Sequence, residues 1–139
     1  MSETNREKAF RWMESIWNHR QLEVIEELFA PEAIGHHEGA ETHGPEAMQQ
    51  YALMLFETFP DIRVEVEHGI EEGDHVAIRW TAQATHQGTG LGIPVTGAEV
   101  SFSGMTWFTF GENGQIIEGW DSWNQGALVH QLAQAALLL

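Results

Sequence analysis

Apolar residues recur at helical spacing through the first part of the chain and at every second position after it. Phe10, Met13 and Trp17, flanked by Ala9 and Ile16, form one stripe, which predicts an amphipathic first helix. The polar turn Asn18-His19-Arg20 leads into a short second helix carrying Leu22, Ile25, Leu28 and Phe29, with Pro31 marking its end. A third helix opens at Gly44-Pro45-Glu46, where proline suits the first turn. It buries Met48, Tyr51, Ala52, Leu55 and Phe56 and stops at Phe59-Pro60-Asp61.

From Ile62 the period drops to two. Val64 and Val66 alternate with charged residues, Gly73-Asp74 turns the chain, and Val76, Ile78, Trp80, Ala82 and Ala84 share one face of a strand. A Gly/Pro-rich connection from Gly88 to Gly97 precedes a long strand from about Val100 to Phe110. A tight Glu112-Asn113-Gly114 turn leads to the last strand, and Leu128, Leu132 and Ala135 predict a terminal helix. Three helices followed by an antiparallel sheet make an α+β fold in one domain.

In the long strand Val100, Phe102, Phe108 and Phe110 point one way, Met105 and Trp107 the other. Both faces are too apolar for one to meet only water. One face is expected to cover a core or cavity and the other a second subunit, which predicts a homodimer through the sheet.

Charge narrows the range of partners. The 139 residues hold 6 basic and 21 acidic side chains, a formal charge of −15. Such a field repels nucleic acids and anionic membranes, and it leaves too few Lys and Arg to line a phosphate site. Gly88-Thr89-Gly90-Leu91-Gly92 is not followed by a helical pattern, so it reads as a turn rather than a dinucleotide loop. Cysteine is absent, which excludes disulfides and thiolate chemistry. The polar start and the lack of a long apolar run lead us to expect a cytoplasmic protein.

Candidate chemistry centres on the run from Gly114 to Asn124, which places Asp121 between Trp120 and Trp123. A carboxylate in so bulky a setting is either a buried structural acceptor or an acid/base group. His86 shares the inward parity of Val76 to Ala84, as a satisfied core histidine or a pocket donor. Trp80, Met105, Trp107, Trp123 and Asn124 are candidate ligand contacts, although Asn124 equally suits a helix cap. Trp12, Trp17 and Phe10 suit packing. His36, His37 and His43 lie close together, but the first two point to opposite sides of an extended segment, which disfavours a metal site.

Taken together, the order of elements and several short motifs resemble a known family. These are Phe59-Pro60-Asp61, Glu72-Gly73-Asp74, Thr85-His86-Gln87-Gly88, Gly92-Ile93-Pro94-Val95-Thr96-Gly97, Gly119-Trp120-Asp121 and Gln131-Leu132. The chain is similar to the SnoaL-like polyketide cyclases of the nuclear-transport-factor-2-like superfamily, as a single domain over residues 1–139. The resemblance implies a cone-shaped α+β barrel, with a curved antiparallel sheet wrapped around the N-terminal helices and a deep apolar pocket. It implies intramolecular aldol-type ring closure without cofactor or metal, on a small apolar molecule. It places the general acid/base on Asp121 and favours His36 as the pocket-facing histidine, and its Thr-His-x-Gly match supports His86 as a catalytic pocket donor or proton relay, while His37 and His43 are expected at the surface. The family's assisting histidine would fall at Trp107, so the pocket is expected to have exchanged a polar partner for a large ring. A non-catalytic ligand-binding pocket and a dimerisation module are the alternatives.

Overall fold

The computed structural model describes residues 2–138. Helix α1 (Asn5–Trp12) starts at a capping box, in which the Thr4 hydroxyl accepts from the Glu7 amide and the Glu7 carboxylate accepts from the Thr4 amide. It continues through wider π-type turns over Met13–Asn18. The apolar stripe of this segment is buried, from Ala9 and Trp12 through Met13, Ile16 and Trp17. Asn18 then fastens the helix end to the sheet. Its side-chain amide donates to the Val64 carbonyl at 2.8 Å and accepts from the Val64 N–H at 2.7 Å.

Helix α2 (Glu23–Leu28) is shorter than the sequence predicts. Phe29 does not close it but opens a strand, β1 (Phe29–His37), which hairpins into β2 (Ala40–His43). The apolar pattern gave no sign of these two strands. Helix α3 (Gly44–Thr58) follows with Pro45 in its first turn. Four long strands come next: β3 (Arg63–Glu72), β4 (His75–Thr85), β5 (Glu99–Phe110) and β6 (Ile116–Trp123). Helix α4 (Gln125–Ala136) ends the chain and packs on β5.

The six strands form one curved sheet in the order β2-β1-β6-β5-β4-β3. Neighbours are antiparallel with one exception, since β1 runs parallel to β6. The fully antiparallel sheet expected from the sequence is corrected there. Helix α1 packs against β3 and β4, and α3 against β1 and β2. The core between them is aromatic, with Trp12 edge-on to Phe108 and tilted against Phe29.

One glycine lets this core close. A Cβ on Gly104, on the inward face of β5, would lie 2.5 Å from Trp123 Cβ and 2.7 Å from Trp80 Cζ2. The two indoles converge over β5 because that side chain is missing. Among the described residues no helix is long and apolar enough to cross a membrane.

Candidate functional site

The strand register decides what faces the interior. Thr106 of β5 lies opposite Asp121 of β6, and Trp107 lies opposite Trp120. Thr106 shares the inward parity of Phe102 and Phe108, so Asp121 points inward and the Trp107–Trp120 pair points out. An indole N–H can only donate, and Trp80 Nε1 donates to Thr106 Oγ1 at 3.0 Å. The Thr106 hydroxyl proton is therefore directed at Asp121 Oδ1, 2.7 Å away. Three inward residues on three adjacent strands set the direction of this chain.

The second carboxylate oxygen is held from β1. His37 Nδ1 lies 2.9 Å from Asp121 Oδ2. A carboxylate only accepts, so Nδ1 carries the proton. His37 Nε2 then meets Thr42 Oγ1 at 3.1 Å, accepting from the hydroxyl when the ring is neutral and donating to it when the ring is charged. The His37 side chain is 3 % exposed and that of Asp121 20 %. Gly35 makes room for this ring, because a Cβ there would lie 2.5 Å from Thr42 Oγ1 and 2.9 Å from His37 Nε2. The Tyr51 ring of α3 stacks on His37 with centroids 3.9 Å apart and planes 19° apart.

Asp121 sits between two small apolar cavities. The larger, ≈ 40 Å³, is lined by Asp121 and Thr106 together with Tyr51, Trp80, Trp123 and apolar residues such as Leu55 and Phe102. The smaller, ≈ 20 Å³, lies on the other side of the His37–Asp121 pair, beneath Trp12, Phe29 and Phe108. Asp121 is thus the single carboxylate on otherwise apolar walls, oriented by two donors.

Burial pushes the Tyr51 phenol well above its ordinary value, the negative charge of Asp121 adds to this, and a donor contact from Trp123 partly offsets it. The chain has one tyrosine, so the ultraviolet tyrosinate band reads this group alone. We expect half-ionisation well above about pH 10 in the folded protein and near 10 after denaturation. The folded state holds this proton to higher pH than the unfolded state. The stability it contributes is therefore intact below about pH 10 and is lost as pH rises toward the folded value. A native titration near 10 would contradict this placement.

The structure brings together only part of the set read from the sequence. Asp121, Trp80 and Trp123 meet at the larger cavity. His36 does not: it projects from the opposite side of β1, stacks on Trp120 and pairs with Glu118 at 2.7 Å and Glu41 at 3.2 Å. The inward histidine is its neighbour His37, which the sequence had assigned to the surface. His43 is exposed beside Glu41. His86 is fully buried, but it lies at the far end of β4 and away from Asp121, where its Nδ1 accepts from the Thr96 amide at 3.2 Å and meets the Thr96 hydroxyl at 3.0 Å. Met105 and Trp107 are 61 % and 47 % exposed on the outer face. Trp107 therefore does not displace a polar partner from the pocket, because the imidazole beside Asp121 comes from β1. Asn124 caps α4 through the Ala127 amide. Among the described residues no group of three or more His, Cys, Asp or Glu side chains is arranged to hold a metal ion.

His37, Thr42, Tyr51 and Thr106 are the site residues that sequence reasoning missed. Thr106 alone carried a usable signal, the parity it shares with Phe102 and Phe108.

The model of the SnoaL-like polyketide cyclases matches residues 7–132. The chain belongs to that family. A SnoaL-like polyketide cyclase from Jannaschia sp. CCS1, so described provisionally, is 25 % identical with a TM-score of 0.86, over 95 % of this chain and 96 % of that one. AclR from Streptomyces galilaeus, provisionally described as a hydroxylase, is 29 % identical with a TM-score of 0.80, over 94 % of this chain and 81 % of that one. IdmH from Streptomyces antibioticus, provisionally a polyketide cyclase, is 24 % identical with a TM-score of 0.80 and shares the fold, over 94 % of this chain and 99 % of that one. No curated protein matches the chain. The curved α+β architecture is thus the SnoaL-like fold, and the family supports a cyclase-type function. The fold hosts more than one chemistry, and the reaction of this chain rests on its own site.

Proposed function

We propose that the protein is a cyclase-type enzyme in which Asp121 transfers a proton to and from an apolar carbonyl compound held in the larger cavity, with no cofactor taking part. The observation that carries this reading is the orientation of Asp121 by His37 and Thr106 on an otherwise apolar wall. A carboxylate is a weak base, so the C–H it attacks must be acidic, as between two carbonyls. The enolate formed there would close a ring by aldol addition, shift a double bond, or eliminate water. A cavity of ≈ 40 Å³ has space for only a few waters, so the substrate is accommodated by movement of its walls. Met13 and Leu55 line it, and an unbranched Met13 adapts readily. The test is α-proton exchange of a cyclic 1,3-diketone in D2O, followed by NMR. Exchange above the buffer rate supports the reading, and exchange at the buffer rate contradicts it.

A non-catalytic ligand-binding pocket is the second reading, favoured by the small volume. It predicts ligand binding with no exchange.

The exposed outer face of the sheet supports the other part of our proposal, a homodimer. Met105, Trp107, Ile117 and Trp120 are all more than a third exposed there, and Trp107 lies directly opposite Trp120. Sedimentation at micromolar concentration is expected to give the mass of two chains, and Trp107→Glu the mass of one. A monomeric parent protein would contradict the dimer.

A further inference from the structure

We propose that Tyr51 is the electrophilic partner of Asp121, its hydroxyl donating to the substrate carbonyl oxygen as that oxygen becomes an enolate. This inference rests on the reading of Asp121 as the base and adds a second catalytic residue to it.

It follows from where the polar protons of the cavity are committed. The Trp80 N–H is spent on Thr106, and the Thr106 hydroxyl on Asp121. His37 gives its Nδ1 proton to Asp121. Asp121 itself only accepts. Three further donors line the wall: the Trp123 indole donates to the Tyr51 oxygen, the Trp17 indole belongs to the helix stripe and meets Phe56 edge-on, and the Tyr51 hydroxyl is the one held beside Asp121 through His37. Tyr51 is also fixed in place. Its ring lies flat on His37, whose two ring nitrogens are held by Asp121 and Thr42, so phenol, imidazole and carboxylate form one contiguous group. An acceptor and a free donor thus face the same small apolar space.

Enolisation requires that pairing. Asp121 takes the proton from the carbon between two carbonyls, and the C–H electron pair becomes the new C=C bond. The carbonyl π pair moves onto oxygen, where the Tyr51 O–H stabilises the charge. The proton on Asp121 is returned to the alkoxide formed when the enolate carbon bonds to a second carbonyl of the same molecule. A phenol serves as the donor only while neutral, and burial and the Asp121 charge both favour that form.

The test uses 4-nitrophenolate as a stable stand-in for the enolate and nitrobenzene as its match without the oxyanion. Both are titrated into Asp121→Asn, which presents the neutral state that Asp121 reaches after taking the proton. We expect the phenolate to bind at least about 10-fold more tightly than nitrobenzene, and Tyr51→Phe added to Asp121→Asn to remove that preference. A preference that survives Tyr51→Phe overturns the proposal. So does equal weakening of both probes, which would mark Tyr51 as a packing residue, and so does failure of both to bind. The two readings fail separately: loss of the preference with no diketone exchange by the parent protein would keep Tyr51 as an oxyanion donor and remove Asp121 as the base.

Discussion

Asp121→Asn is expected to slow diketone exchange by about 1,000-fold, within the 10²–10⁴ range of general acid–base catalysis, and to change ligand affinity only a few-fold. The substitution keeps the shape of the side chain. The Asn carbonyl can still accept from Thr106, and the amide then faces His37 Nδ1. The imidazole can accommodate it by moving its proton to Nε2, donating to Thr42, whose hydroxyl is 3.9 Å from Met48 Sδ. The loss would therefore report on the proton acceptor rather than on unfolding. Equal exchange rates would remove Asp121 from the chemistry. A fall in affinity as large as the fall in rate would assign it to binding.

The second large effect concerns stability. Phe108 is 2 % exposed, edge-on to Trp12 and tilted against Phe110, and it lines the small cavity behind Asp121. Phe108→Ala would enlarge a cavity that helix and sheet cannot collapse, because Trp12 and Phe29 are fixed by their own contacts. The expected cost is about 3–5 kcal/mol. Against a typical domain stability of about 5–15 kcal/mol that is a large share. For a chain of this size it lowers the melting temperature by about 10–15 °C. Thermal and urea unfolding would measure it, and a loss below about 1 kcal/mol would mean that the site readily repacks.

What the sequence could show depended on how regular each strand is. The alternation of Val76 to Ala84 and of Val100 to Phe110 is unbroken, and both strands lie where it places them. Strand β1 has no such signature. Pro31 and Gly35 interrupt it, and its inward residues Ala33 and Gly35 are small, so its burial leaves no apolar pattern. Without that strand the parity of His36 and His37 could not be assigned. The register that turns His37 inward, with Gly35 opposite Gly119 and His36 opposite Trp120, is set by the parallel pairing with β6. The correction to the site follows from this. Parity did carry His86 to a buried position, but parity says nothing about distance along a strand. It placed the ring inside the protein without showing that it lies at the end away from Asp121. Tyr51 read as core from its helical spacing, and it is largely buried. That its ring stacks on His37 is a tertiary contact no local pattern could reveal.

A crystal structure with a bound cyclic 1,3-diketone tests the central claim most directly. Our reading predicts that the ligand occupies the opened larger cavity, with its central carbon in hydrogen-bond reach of an Asp121 carboxylate oxygen and a carbonyl oxygen on the Tyr51 hydroxyl. A ligand bound only on the outer face, or a cavity that stays closed at saturating ligand, would contradict it.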